Sequence, residues 1–358
     1  MKKLDWYIVK KFLGTFFFSI SLILIIVIVF DISEKIDDFL RSEVSIKKIV
    51  FDYYLNFIPY FGNLFSPLFI FISVIYFTSK MAGNSEIIAM LNSGMSFSRL
   101  LRPFVFTSIL LATLSFVLGN FIIPETNKTR IDFENKYLKR KQKKRIKNIH
   151  MQIQKDQYIY MESYNRAKNI GYKFTLENFE NNKLESKLSA NYIEYDTVDN
   201  NWRVRDYKIR EYFEKNEKIS QGRVLDTIIN LTPKDLAKNK SLVETMGMKK
   251  LNEYIKEEEI RGTSQIIYHK IEKHKRVANP FSTIILTIVA VAIGSRRIRG
   301  GAGIQLSIGL LLSFGYILFM QISTTFATNS NLLPVVAVWI PNLLFALVAL
   351  LLVKYAPK

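Results

Sequence analysis

The residues best suited to chemistry in this 358-residue chain stand in three short groups and one long one. The first follows an uncharged run and reads Asp31-Ile-Ser-Glu34-Lys35, continuing through Asp38 to Arg41. On a helix, Ile32, Ile36, Phe39 and Leu40 form an apolar stripe, while Lys35, Asp38 and Arg41 project from other faces. A cation at the edge of hydrocarbon can pair with phosphate oxygens, and a nearby carboxylate can fix its geometry. The same pattern also fits a snorkelling lysine among ordinary helix-surface charges. The second group is Asn84-Ser85-Glu86-Ile87-Ile88-Ala89-Met90-Leu91-Asn92-Ser93-Gly94. Asn84 or Ser85 suits the cap of a short helix, Glu86 its first turn and Gly94 its end. Such a helix over 84–94 presents an acid beside Ile87 and Met90, as a helix docking into a partner's groove does. A merely amphipathic interfacial helix would look the same. The third is a run of ten basic residues from Lys128 to Lys147, suited to anionic headgroups or to plain solvation. The long group is a set of tyrosine-rich segments around Trp202, which could line an apolar slot or simply form a core.

Other chemistry is excluded. There is no cysteine, hence no disulfide framework, thiolate metal site or cysteine nucleophile. His269 and His274 are five residues apart and do not share a helical face, and His150 lies far from both in sequence, so no metal site is expected. The cluster Gly300-Gly301-Ala302-Gly303 lacks the lysine and preceding strand of a phosphate-binding loop, so the chain is not expected to hydrolyse ATP by itself. Arg296-Arg297-Ile298-Arg299 before it reads as a stop signal and headgroup contact. No catalytic residue and no cofactor are expected.

The elements that must position these groups follow from charge and hydropathy. Apolar types make up 49% of the chain, yet it carries 50 Lys plus Arg against 31 Asp plus Glu, a formal charge of +19. Residues 124–279 hold 34 of the basic and 23 of the acidic side chains, so the ends are charge-poor and the middle charge-rich. Phe12 to Phe30 is 19 residues without a charge, about what a helix needs to cross roughly 30 Å of hydrocarbon. It runs straight into Asp31 with no small-residue cleavage site, so it is expected to persist as a span. Further spans are predicted at Tyr53 to Ser79, kinked by Pro59 and Pro67, and at Phe104 to Ile123, ending at Pro124. Three more are predicted at about Val277 to Ser295, Ile304 to Phe326 and Leu332 to Val353. With the N-terminus inside, the short inner segments hold twelve Lys and Arg and the short outer ones four. Both termini are therefore expected to be cytoplasmic and residues 124–279 outside. The basic run runs against this density rule, but long domains translocate largely regardless of charge. Nucleic acid is not a plausible partner there.

The middle reads in three parts. Thr126 to Asn148 is predicted as a basic helix leaving the membrane. Over about 149–236 short alternating segments such as Tyr158-Ile-Tyr-Met161 and Trp202-Arg-Val-Arg205, broken by Asn181-Asn182 and Asp199-Asn-Asn201, predict an antiparallel sandwich or jelly roll. Residues 249–276 return to a helical pattern. The expected fold class is thus an α-helical membrane protein with six spans and an inserted all-β domain, arranged as 1–123, 124–279 and 280–358.

At this point the sequence resembles the LptF/LptG family of lipopolysaccharide export permeases over essentially its whole length. The matching residues are Leu4-Asp5-Trp6-Tyr7-Ile8, Glu34-Lys35-Ile36-Asp37-Asp38-Phe39, Ser85-Glu86-Ile87-Ile88-Ala89-Met90 with Ser93-Gly94, Asn230-Leu-Thr-Pro-Lys-Asp-Leu236 and Lys275-Arg276-Val-Ala-Asn-Pro280. The resemblance implies an inner-membrane heterodimer with a second LptF/LptG-type permease and a periplasmic jellyroll. It also implies a separate ATPase dimer, LptB, that binds the ATP, and bridge proteins LptC and LptA that receive the lipopolysaccharide. Under the resemblance Lys35 falls near the lipid A phosphates, with Asp38 and Arg41 beside it. Ser85, Glu86, Ile87 and Met90 fall on the helix that couples to the ATPase. A rival from another class is a membrane sensor or mechanotransmitting protein whose outer β domain binds a ligand; the sequence shows no appended signalling domain. A membrane enzyme acting on lipids lacks any acid, base or metal cluster.

Overall fold

The first element is set by composition. From Lys3 to Arg41 there is no proline and a single glycine, and the chain forms one helix of 39 residues, α1 (Lys3–Arg41). At 1.5 Å per residue this is roughly twice the hydrocarbon thickness, so α1 continues beyond the apolar run, and Lys35 stands five residues past the end of that run at Phe30. The computed structural model describes residues 3–138, 145–181, 183–197, 199–213, 216–236, 240–261, 266–296, 301–330 and 332–356. The chain divides into two compact units: Met1–Leu138, Glu244–Met248 and Lys270–Lys358 in one, Lys139–Val243 and Lys249–His269 in the other.

In the first unit α2 (Ile46–Lys48), a π-helical turn (Ile49–Tyr54) and α3 (Leu55–Gly83) form one continuous helical stretch. A short α4 (Glu86–Asn92) follows. Then come α5 (Phe97–Val117), a second π-helical turn (Leu118–Ile122), α6 (Ile123–Phe133) and a third π-helical turn (Glu134–Leu138). The helix that carries the third span therefore continues through Pro124. Pro124 lies in the first turn of α6, where its missing N–H is least costly, and the wider π winding just before it absorbs the lost hydrogen bond. The described part of the helix runs to Leu138 and residues 139–144 lie outside the described residues; the predicted helix to Asn148 is corrected at its end, where the first strand already begins at Arg145. Ile149, Met151 and Ile153 explain the change, since they feed the sheet core at strand spacing, and Ile146 joins them across Asn148, whose φ is 52°.

The second unit holds β1 (Arg145–Gln154), β2 (Gln157–Asn165), β3 (Ile170–Glu180), β4 (Lys183–Asp196), β5 (Asn201–Tyr212) and β6 (Glu217–Thr227). They pair antiparallel in sequence order as a single six-stranded sheet. The expected sandwich or jelly roll thus takes the form of a meander, with no Greek-key crossover among the described strands. Register places Met151, Ile159, Leu176, Leu188 and Ile209 in one row and Ile149, Met161, Phe174, Ala190 and Tyr207 in the next. Side chains alternate across a strand, so both rows fall on one apolar face. Trp202 belongs to this core rather than to an open slot. It is 1% exposed, and its Nε1 donates to the Leu231 carbonyl at 2.7 Å, tying the segment after β6 to the sheet. Next come α7 (Pro233–Leu236), α8 (Lys240–Val243) and α9 (Met248–Arg261).

The predicted helical return over 249–276 is split between α9 and α10 (Ile266–Gly294), so the fourth membrane-length helix starts earlier than Val277. The chain closes with α11 (Gly301–Asn329) and α12 (Pro334–Lys354). Of the arginines at 296–299, Arg297 and Arg299 lie outside the described residues; Arg296 donates to the Tyr355 carbonyl at 2.9 Å. Among the described residues six helical stretches are long and apolar enough to cross a membrane. Their shared core joins Phe12, Phe16 and Ile20 of α1 to Phe71 and Ile75 of α3, Leu100 and Phe104 of α5, and Leu286 and Val289 of α10.

Close approach depends on small residues, because lipid supplies little hydrophobic drive between helices. A β-carbon at Gly294 would overlap the Thr78 hydroxyl, and one at Gly309 would meet Ile75 Cδ1 at 2.6 Å. Gly294→Ala is expected to cost about 1–3 kcal/mol by overpacking. Gly315→Ala, with nothing within 4 Å of its β-carbon, serves as the neutral control. Thermal unfolding in detergent checks this; equal midpoints for the two variants would show that the α3–α10 contact yields without cost.

Candidate functional site

Lys35 does not stand free at the end of the apolar run. One helical turn before it, Asp31 faces the same side of α1, and the two side chains pair at 2.5 Å. Lys35 Nζ also donates to the Tyr53 hydroxyl and lies 4.9 Å from the centre of that ring. The Tyr53 hydroxyl donates to Asp31 Oδ1 at 3.2 Å and the Tyr54 hydroxyl to Asp31 Oδ2 at 3.1 Å, so both carboxylate oxygens are engaged. Both tyrosines are placed by the π-helical turn that opens the second span. Phe39, Phe57, Phe133 and Leu138 complete the apolar wall. The lysine side chain is 24% exposed and the aspartate 12%. Little water reaches the pair, so its attraction is stronger than at an open surface.

Asp38 and Arg41 do not join this cluster. The Asp38 carbonyl accepts from the Ser42 amide and hydroxyl at 3.0 and 2.7 Å. Arg41 is the last residue of α1 and exposed, where a cation suits the helix dipole. Among the described residues neither side chain forms an ion pair.

The loop after α3 folds into α4 much as its end residues suggest. Ser85 occupies the N-cap position, but with φ of 62° and no side-chain cap; instead Asn84 Nδ2 donates to Glu86 Oε1 at 3.2 Å. At the far end Gly94 takes φ of 85°, its amide donates to the Leu91 carbonyl at 3.0 Å, and Met95 donates to Met90 at 3.3 Å. This pair of bonds closes the helix with a left-handed glycine. Ile87 is 1% exposed and packs in the core of the membrane unit, while Met90 is half-buried against it. Ile87 anchors the helix and Glu86 remains accessible. Nearby, Arg99 clasps Asp5 with both guanidinium nitrogens at 2.8 Å, joining the start of α5 to the first turn of α1.

A third polar cluster joins α6 and α10 through residues 244–248. Arg130 is 9% exposed and contacts Asn127 at 3.2 Å, Glu134 at 3.0 Å and Glu244 at 4.0 Å. Arg276 donates to the Met246 carbonyl at 2.6 Å and pairs with Glu272 at 3.1 Å. Together with Tyr60, Asn63 and Lys275, several of these residues line a cavity of about 300 Å³.

Comparison with protein families gives one match, to the lipopolysaccharide export system permease LptF/LptG, over residues 6–355. The match takes in both membrane halves and the sheet between them. The chain belongs to the LptF/LptG family. It is therefore a lipopolysaccharide export permease by family and a multi-pass membrane protein by its six apolar helices. No curated protein matches the chain.

In this permease, Asp31, Tyr53 and Tyr54 are the site residues that sequence reasoning missed. Their signal was present in the i,i+4 spacing of Asp31 and Lys35 and in two adjacent tyrosines at the head of the second span. The Arg130 and Glu244 cluster had no such signal, since its members are far apart in sequence. Burial holds the Glu244 carboxyl above its ordinary range, Glu272 adds to the effect, and Arg130 and Arg276 oppose it. An acid raised in this way holds its proton more tightly when folded. Its contribution therefore favours folding below the ordinary carboxylate range and is lost as pH rises through the raised value. Glu244→Gln is expected to flatten the decline in the permease's melting temperature between about pH 4 and pH 7. An unaltered pH profile would mean that Glu244 is as well solvated folded as unfolded.

Proposed function

We propose that this permease extracts lipopolysaccharide from the outer leaflet of the inner membrane and passes it through its periplasmic β domain. It works as one half of a heterodimer with a second LptF/LptG-type permease. The ATP is bound and hydrolysed by a separate LptB dimer, and the lipid moves on to LptC and LptA. Both termini are cytoplasmic in this reading and residues of about 124–279 are periplasmic. The chain supplies no catalytic residue and no cofactor of its own.

The observation that carries the reading is Lys35, a partly exposed cation held at the end of the first apolar run by Asp31 and Tyr53. A phosphate of lipid A is the anion that a lipid exporter would bring there; Arg41 lies within the next two turns of α1 to meet a second phosphate, and Asp38 between the two cations can help to orient them. The half-buried Leu176, Tyr207 and Ile209 at the edge of the sheet core are where acyl chains would enter. At the cytoplasmic end, α4 is fixed to the membrane core by Ile87 and presents Glu86, Ser85 and part of Met90 to the ATPase.

A crosslinking amino acid at Lys35 or at Ile209 in the sheet should capture lipopolysaccharide in an ATP-dependent manner within the assembled complex. No adduct at either position would sink the substrate assignment. Glu86→Ala should lower transport-coupled hydrolysis by about tenfold or more, the scale of an anchor residue in an interface. Unchanged copurification and hydrolysis would remove Glu86 from the coupling path.

A further inference from the structure

We infer that Asp31 is a resident counter-ion that a lipid phosphate must displace from Lys35 and that reclaims the lysine when the lipid leaves. The inference rests on the reading that Lys35 meets the phosphates of the exported lipid. A lysine ammonium has three N–H donors, and here two are used, one on Asp31 and one on the Tyr53 hydroxyl. The third is where a phosphate oxygen can begin to bind, and the lysine is the more exposed member of the pair, 24% against 12%.

The cage is built so that the exchange leaves no buried charge without partners. When Lys35 turns to a phosphate, Asp31 keeps the Tyr53 hydroxyl on one oxygen, at 3.2 Å, and the Tyr54 hydroxyl on the other, at 3.1 Å. A buried carboxylate deprived of all its donors would resist the exchange strongly, whereas one that retains two hydroxyl donors does not. The incoming group has the advantage in charge. A phosphomonoester carries about −1.5 to −2 near neutral pH, against −1 for the carboxylate, so a phosphorylated lipid can take the lysine. The same proximity works in reverse. With Asp31 close by, the lysine's hold on any anion is weaker than that of a bare ammonium in the same setting, and the lipid can be released. A binding site in a transporter must let go in every cycle, and tighter ground-state binding alone does not speed a cycle.

The test uses the assembled complex with its ATPase in lipid vesicles, with purified lipopolysaccharide as the probe and a crosslinking amino acid at Ile32 as the reporter. Asp31→Asn, which keeps size and an acceptor for the tyrosines, should raise lipopolysaccharide occupancy without ATP by about tenfold, the scale of one close ion pair. It should also slow ATP-driven loss of the adduct. Asp31→Leu, suited to the hydrocarbon edge, should act in the same direction, and Asp31→Glu should restore wild-type behaviour. Lipopolysaccharide stripped of its lipid A phosphates should not distinguish Asp31→Asn from wild type. Occupancy equal to or below wild type in both Asp31→Asn and Asp31→Leu would overturn the exchange. If Lys35→Gln binds intact and dephosphorylated lipid as wild type does, the phosphate reading of Lys35 itself fails, whatever Asp31 does.

Discussion

A charge at the edge of hydrocarbon must be paired, hydrated or withdrawn, and the membrane unit of this permease is arranged around that constraint. Its helices leave the apolar layer at points where a cation meets an acid from the same helix or a neighbour. Asp31 and Lys35 pair along α1, Asp5 and Arg99 pair between α1 and α5, and Arg130 sits between Glu134 and Glu244. The Asp5–Arg99 pair, the Lys35 contact with Tyr53 and the approach of Arg130 to Glu244 tie together elements whose apolar contacts alone would leave their relative depth loosely set. The apolar core between them is close-packed through Gly294 and Gly309, and the polar contacts at the ends fix the register of that packing.

These end contacts also connect the two places where work would be done. α1 is a single helix from Lys3 to Arg41, with the Asp5 and Arg99 clasp near one end and the Lys35 cage near the other. Ile8 and Phe12 of α1 lie in the same core cluster as Ile87 of α4. A displacement of α4 by a partner would thus act first on packed side chains around the start of α1. A helix resists bending far more than it resists tilting as a body, so the far end would move with the near one. The physical link between ATPase contact and lipid contact in this reading is one rod and its packing, without a chain of polar relays.

Much of the fold was legible in the sequence because membrane spans and strand alternation are strong local signals. Phe12 to Phe30 and the alternating segments around Trp202 each announce their element within a dozen or so residues. The boundaries were less legible where the deciding interaction is not local. Pro124 reads as a stop, yet the π-helical turn over Leu118–Ile122 lets the helix pass through it. The run from Lys128 reads as one basic helix, but the sheet core draws Ile146 and its neighbours into β1 from Arg145 onward. Strand order is likewise a property of pairing across distance, and alternation alone does not separate a meander from a Greek key.

The site divides along the same line. Lys35 and Glu86 could be named from pattern and family resemblance, because each sits in a short motif. What surrounds Lys35 was legible only in part: Asp31 lies at i,i+4 spacing on the same helix, but which residues of another span approach it, here Tyr53 and Tyr54, is not a local property. That difference bears on function. A lysine taken alone predicts simple attraction of phosphate, whereas a lysine already shared between a carboxylate and a phenol predicts exchange. Under the proposed exchange the aspartate would set how firmly an anion is held, the tyrosines how readily the aspartate stands alone, and the exposed side of the lysine where the anion enters. Binding and release would then be two directions of one competition among oxygens for the same ammonium, biased by a competitor that is permanently attached to the chain.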